Sequence, residues 1–194
     1  MTMQRLILFL LSFLFLCSCT QQPTERSIKK FVGRQITLSP DCNAIWRAKD
    51  TVLTDFTKVP VKLVVWCDSL ACASCEISYM NEWHYIAAYA DSLSQWFSII
   101  YLFSPKKKDY STVRRSLRAS KFDYPIFIDR HATFVKLNPH LPKNRLLHSF
   151  LLDKNNKVVM VGNPLHNPSL WALYKRTIQQ MIDNDGVLPE PSQL

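Results

Sequence analysis

Cys72 and Cys75 are the residues of this chain whose type and spacing best suit chemistry. A cysteine attacks disulfides as its thiolate, and a second cysteine one helical turn away can displace whatever the first has captured. The pair sits in Lys62–Glu82, which reads Lys-Leu-Val-Val-Trp-Cys-Asp-Ser-Leu-Ala-Cys-Ala-Ser-Cys-Glu-Ile-Ser-Tyr-Met-Asn-Glu. The same spacing also serves as half of a zinc site, or as a structural disulfide at a helix start. A closed four-ligand zinc site needs a second such pair, and the sequence has none.

Two elements must hold these cysteines. Leu63 to Cys67 is a short apolar run, long enough for a buried strand and too short for a helix. From about Ala73 to Ser92 the spacing of Cys75, Ile77, Met80, Trp83 and Ala87 places them on one face of a helix. The cysteines therefore stand where a strand hands over to a helix, whose free N–H groups and positive dipole end favour a thiolate. Downstream, Ser98–Phe103 and Tyr124–Asp129 read as strands on either side of a helix capped by Asp109 or Ser111 and running to about Ser120. That helix turns Val113 and Leu117 inward and Arg114, Arg115, Arg118 and Lys121 outward. His148–Asp153 and Val158–Val161 form a hairpin, with Asn155-Asn156 tolerating positive φ in its turn. Asn167 caps a closing helix with Pro168 at its first position and Leu170, Leu173, Tyr174, Ile178 and Met181 on its inner face. Upstream, Phe31–Leu38 reads as a strand or hairpin arm, and Ile45–Lys58 as an irregular lead-in with one further strand. Strands separated by helices, then a hairpin, imply an α/β fold with parallel βαβ units and antiparallel strands at the end.

Composition narrows the function. Apolar residues make up 47% of the 194, which fits one domain with a good core. Only 3 glycines are present, and neither GxGxxG nor a Walker motif occurs, so glycine-rich nucleotide loops are excluded. No Gly-x-Ser-x-Gly, His-Glu-x-x-His or paired-carboxylate arrangement offers hydrolase chemistry. Asp129 and Asp153 both end strands, where turn capping accounts for them. The net charge of +9 suits an anionic membrane surface or acidic partners, and no nucleic-acid-binding module accompanies it.

The first residues carry an address. Arg5 precedes the apolar run Leu6–Leu16, which reads as a secretory signal and is too short for a membrane span. Leu16-Cys17-Ser18-Cys19 resembles the lipobox of bacterial lipoproteins, and the resemblance implies that Cys19 becomes the acylated first residue. Thr20 after it resembles the outer-membrane sorting pattern. Stable anchoring takes more than one acyl chain, as lipoproteins of this kind carry. The expected layout is a signal peptide over 1–18, a tether over 19–30, the folded domain over 31–185 and a flexible tail over 186–194.

With Cys72-x-x-Cys75 after a buried strand, the Phe150-Leu151-Leu152-Asp153 hairpin and the closing helix, the chain resembles the thioredoxin-like fold. Together with the leader and Tyr124-Pro125-Ile126-Phe127-Ile128-Asp129, it most resembles extracytoplasmic, TlpA-like thiol–disulfide oxidoreductases in lipoprotein form. The resemblance runs from about Phe31 to Met181. It implies a three-layer sandwich, with a central mixed sheet between helices. It makes Cys72 the attacking and Cys75 the resolving thiol, with no cofactor. Partners would be a protein thiol or disulfide client, the membrane through the lipid anchor, and an external electron donor if the protein reduces; nucleic acid is not expected. The family's cis-proline position falls on Leu147, which with His148 would then face the substrate. Ala71 stands before the first cysteine and Trp66 six before it.

Cys42 and Cys67 remain. If Cys72 and Cys75 pair, Cys42 and Cys67 can form a staple from the lead-in to the central strand; otherwise Cys67 is an inert buried thiol and Cys42 a free one. A metal reading exists beside the redox one. Two thiolates with His148 would suit a soft metal, resembling thioredoxin-fold copper-delivery proteins, although those are usually spaced Cys-x-x-x-Cys. His84 points away from Cys75 on the same helix, and His131, His140 and His166 fall in loops without a motif.

Overall fold

The computed structural model describes residues 23–38, 43–47, 49–51, 57–69, 73–120 and 122–189, with Cys75 described in its backbone alone. Cys19, Cys42 and Cys72 lie outside the described residues.

Seven strands make one mixed sheet in the order β2-β1-β5-β4-β3-β6-β7. They are β1 (Asn43–Trp46), β2 (Lys49–Thr51), β3 (Val61–Cys67), β4 (Phe97–Phe103), β5 (Ile126–Ile128), β6 (Ser149–Leu152) and β7 (Val158–Val161). The centre is parallel: β3 pairs with β4 from Val61↔Phe97 to Cys67↔Phe103, and β4 pairs with β5. β6 runs antiparallel to β3, and β7 antiparallel to β6. On the far side, β1 runs antiparallel to β5 and folds back onto β2. β4 is buried along its whole length, as a parallel strand covered on both faces must be.

Helices provide that cover. They are α1 (Pro23–Phe31), α2 (Ala73–Tyr79), α3 (His84–Ser92), α4 (Tyr110–Ala119), α5 (Thr133–Leu137) and α6 (Pro168–Asp183), with a 3₁₀ turn over Met80–Trp83 between α2 and α3. One core layer joins Leu63, Ile99, Tyr101 and Leu151 of the sheet to Trp83, Ile86, Val113, Leu117, Ile178 and Met181. The other joins Val64, Trp66, Ile100, Leu102 and Phe150 to Phe31, Ile36 and Phe134. Alternate residues of β3 and β4 thus face opposite layers, the period of a strand. The expected three-layer α/β sandwich is what forms.

Several expectations need correcting. Residues 23–31, expected largely as tether, form α1, and Phe31 is buried against Phe150 with ring centroids 5.1 Å apart. Phe31–Leu38 is not a strand; Gln35 makes an isolated bridge to Lys157, while Gly33 N–H donates to Val158 O at 2.7 Å. The lead-in read as irregular contributes β1 and β2. The long helix after the cysteines is interrupted by the 3₁₀ turn. Asp109 makes no side-chain cap on α4. On α6, Asn167 does cap, accepting from Leu170 N–H at 3.0 Å, but Leu173 is exposed and Thr177 takes the buried place. Gly186, expected in a frayed tail, is docked: its φ is +83° and its N–H donates to Met181 O at 2.6 Å.

Candidate active site

The strand β3 ends at Cys67 and α2 starts at Ala73, so the cysteine motif spans the junction that the sequence indicates. At this end of the sheet lies a cleft of about 560 Å³. Its floor includes Val65, Cys67, Tyr101 and Ser149; α2 and the 3₁₀ turn contribute Glu76, Met80 and Trp83. Asn144, Arg145, Leu146 and His148, with the loop after β7, complete it. Asp68 and Glu76, both in its lining, bracket Cys72 and Cys75 in the chain.

Cys67 is a buried free thiol. Burial pushes its pKa up to about 12, with Glu76 and Asp68 pushing the same way and Arg145 opposing. A thiol held there is protonated at neutral pH and a poor nucleophile. Cys42 lies outside the described residues, so the Cys42–Cys67 staple stays an expectation.

His148 is 5% exposed and lies against Trp66, with ring centroids 4.1 Å apart. Its Nε2 is 2.9 Å from Pro142 O. A carbonyl can only accept, so Nε2 carries the proton and, in the neutral ring, Nδ1 is the free base. That Nδ1 is 4.0 Å from an Asp68 carboxylate oxygen. Burial lowers the His148 pKa, the Pro142 carbonyl and Asp68 oppose, and Arg145 lowers it further. The imidazole is thus neutral in the physiological range, with its basic nitrogen turned toward the segment that leads into the cysteines.

Behind His148 the support is polar and buried. Trp66 Nε1–H donates to Ser104 Oγ at 3.1 Å, and Ser104 Oγ donates to Asp129 at 3.3 Å. Asp129 also accepts from the N–H groups of Thr133 and Phe134, both at 2.9 Å. Turn capping was the expected role of Asp129, and it does that; its further link through Ser104 to Trp66 had no sequence signal. Asp153 likewise accepts from Asn155 and Lys157 N–H at 2.8 Å inside the hairpin turn.

The structure separates the two residues expected to face the substrate. His148 lines the cleft, whereas Leu147 is 2% exposed in the core and its neighbour Leu146, 73% exposed, takes the cleft position. The 3₁₀ turn Arg145–Leu147 causes this by rotating successive side chains about 120° apart. His166, read as an ordinary loop residue, stands on the rim paired with Glu82. Arg145 and Glu76, 3.6 Å apart and half-exposed, form a second rim pair. Tyr101 was missed altogether, because a tyrosine in an apolar run reads as core. Among the described residues no group of three or more His, Cys, Asp or Glu could hold a metal ion.

No family profile matches the chain, and no curated protein does. Solved structures do. An uncharacterised conserved protein from Geobacillus kaustophilus aligns with a TM-score of 0.51 at 13% identity, covering 84% of this chain and 86% of that one. A putative thiol:disulfide interchange protein, DsbE, from Chlorobium tepidum aligns at 0.48 with 15% identity, covering 76% and 97%. The exposed lipoprotein thioredoxin of Streptococcus pneumoniae aligns at 0.47 with 13% identity, covering 70% and 98%. A parallel β3–β4–β5 centre linked by helices, an antiparallel β6–β7 hairpin and a closing helix on the sheet make the fold of this chain thioredoxin-like.

Proposed function

We propose that this chain exchanges thiols and disulfides through Cys72 and Cys75, at the periplasmic face of a membrane that holds it by a lipid on Cys19. One observation carries the reading. The Cys-x-x-Cys segment is bounded in sequence by residues that line one cleft, at the end of the central parallel strands where a strand gives way to a helix. Open α/β sheets place their ligands at the carboxyl ends of such strands.

Cys72 as thiolate attacks a client disulfide, forms a mixed disulfide and expels one client sulfur as a thiol. Cys75 then attacks Cys72, releases the second client thiol and leaves the Cys72–Cys75 disulfide. Two electrons pass from protein to client, so an external donor must reduce the pair before the next turn in a compartment kept oxidising. The neutral His148 with its free Nδ1 can accept the proton of an attacking thiol.

The test is trapping. Cys75→Ser is expected to accumulate a mixed disulfide with clients that Cys72→Ser does not form, read as a thiol-sensitive shift on a non-reducing gel. A Cys75→Ser protein that captures nothing, with a Cys72–Cys75 potential far below roughly −300 mV, would make the pair structural. Stoichiometric copper on the reduced protein would instead favour the soft-metal reading.

A further inference from the structure

The charges of this molecule are divided between the two faces of its sheet. The layer built on Leu63, Tyr101 and Leu151 is covered by helices that carry both signs, Glu76, Asp91 and Asp183 standing among Arg114 and Lys175. The layer built on Val64, Ile100 and Phe150 is covered by α1 and α5, which contribute Phe31 and Phe134 to it. On α1, Thr24, Ser27, Ile28 and Phe31 turn toward the sheet, which leaves Glu25, Arg26, Lys29 and Lys30 exposed. On α5, Phe134 is buried, while Val135, Lys136 and Leu137 are exposed. The segments that follow the two helices are tied together. Asn138 Oδ1 accepts from Thr37 N–H at 2.8 Å, Asn138 Nδ2–H donates to Thr37 O at 2.9 Å, and the Phe31 and His140 ring centroids are 6.3 Å apart. No Asp or Glu occurs from Arg26 to Leu38 or from Arg130 to Leu152. Arg34 and Lys143 add exposed cations, and Glu25 offsets one charge by pairing with Lys29 at 2.9 Å. Val32, Val135 and Leu137 are exposed aliphatic side chains in the same two segments.

We propose that this face, made by α1, α5 and the segments after them, seats on the surface of an anionic phospholipid bilayer and so fixes how the domain is turned on its anchor. The proposal rests on the lipid reading of Cys19 for how the face reaches the membrane. Three residues lie between Cys19 and Pro23, so α1 would start within about 15 Å of the bilayer. A partner protein on this face would have to fit into that gap, whereas the bilayer already fills it. The exposed cations are attracted to negative headgroups within a Debye length of the surface. Lysine stems can lie along the interface with their ammonium groups at the phosphates, and Val32, Val135 and Leu137 supply apolar side chains for the headgroup region. Such a contact is weak by itself and acts as the second signal beside the lipid, orienting a domain that the acyl chains hold. Seated in this way, the domain carries Met80 and Trp83 on the layer turned from the membrane.

Lysine footprinting tests it. The protein, in its lipidated form, is added to preformed vesicles of phosphatidylcholine, or of equal phosphatidylcholine and phosphatidylglycerol. Its lysines are then acetylated with a water-soluble amine reagent and read by mass spectrometry. On the anionic vesicles Lys29, Lys30, Lys136 and Lys143 should react about threefold more slowly than on the neutral ones, and about 0.5 M NaCl should restore them. Lys108, before α4, and Lys175, on α6, are exposed and should react alike on both. Lys30→Glu/Lys136→Glu should abolish the slowing at Lys29 and Lys143 and still sediment with both kinds of vesicle through its lipid. Equal reaction on the two vesicles, slowing that Lys108 and Lys175 share, or slowing that survives the double substitution would each overturn the proposal. A wild-type chain that fails to sediment with neutral vesicles counts against the lipid on Cys19 alone. The face is then judged by sedimentation with the anionic vesicles: salt-sensitive binding lost in Lys30→Glu/Lys136→Glu supports it, and absence of binding overturns it.

Discussion

At the scale of single residues, the most unusual group outside the cleft is Lys62. It sits on the central strand at 2% exposure, donating from Nζ to Val59 O at 2.9 Å and to Pro60 O at 3.4 Å. Burial pulls its pKa down to about 8, with the nearby Asp153 carboxylate opposing. An unfolded lysine titrates near 10.4, so between these values the unfolded chain binds more protons than the folded one. The stability that follows is fully present above the unfolded pKa and is lost as pH falls through the folded one. Urea unfolding should accordingly show stability rising from about pH 8 to pH 10.5, by up to about 3 kcal/mol relative to a lysine-free variant. Lys62→Met should remove that slope. Asp153 keeps its two backbone donors in this variant, so it is not left orphaned. A wild-type and variant pair with parallel pH profiles would show that Lys62 holds its proton in the folded state as firmly as in the unfolded chain. Nothing in the sequence marks this residue, since a lysine opening a strand reads as exposed.

At the scale of elements, what was legible followed pattern and what was not followed tertiary context. β3, β4 and the β6–β7 hairpin stand in the sequence as apolar runs bounded by breakers. The Asn155-Asn156 turn forms with Asn156 at φ +58°, for the reason that side chain suggests. β1 and β2 lack such a run; Asn43–Trp46 becomes a strand by pairing with Ile126–Ile128, and Asp50 is held by Arg114 and Arg118 of α4. α1 carries four charged residues in nine and sets its buried Phe31 into the core, whereas a composition-based reading assigns residues 23–30 to a tether. The candidate site divided the same way. The cysteines and His148 were visible as types at telling positions, whereas Tyr101, Arg145 and His166 converge from three separate segments. The closing helix offers a clean check. Asn167→Ala removes the cap on Leu170 N–H and should cost about 1 kcal/mol by denaturant unfolding, while Asn167→Asp should cost little. Gly186→Ala should cost more: the position has φ +83°, and an added Cβ would come within 2.8 Å of Pro60 Cβ. Equal losses for Asn167→Ala and Asn167→Asp would show that the side chain packs and does not cap.

At the scale of the whole molecule, the helix α1 changes what anchoring would mean. A lipid on Cys19 is followed by three residues before α1 begins at Pro23, and α1 is pinned to the sheet by Phe31. A chain that short spans at most about 15 Å, so the domain would be held close to the bilayer surface instead of roaming on a long tether. α1 packs on the sheet layer of Phe150 and Phe134, opposite the layer that carries Met80 and Trp83. A lipid on Cys19 would therefore place the bilayer on a different side of the sandwich from the helical wall of the cleft. No described helix is long and apolar enough to cross a membrane. Cys19→Ala is expected to move the protein from the membrane to the soluble fraction while leaving its exchange rate with a small soluble disulfide within about twofold. Inserting a ten-residue Gly-Ser segment after Cys19 should keep it membrane-bound and change only its access to clients that are themselves anchored. A Cys19→Ala protein that stays in the membrane fraction would refute the lipid anchor and point to retention of the leader. One that is released but no longer exchanges would show that the surface, beyond holding the domain, helps to form the site.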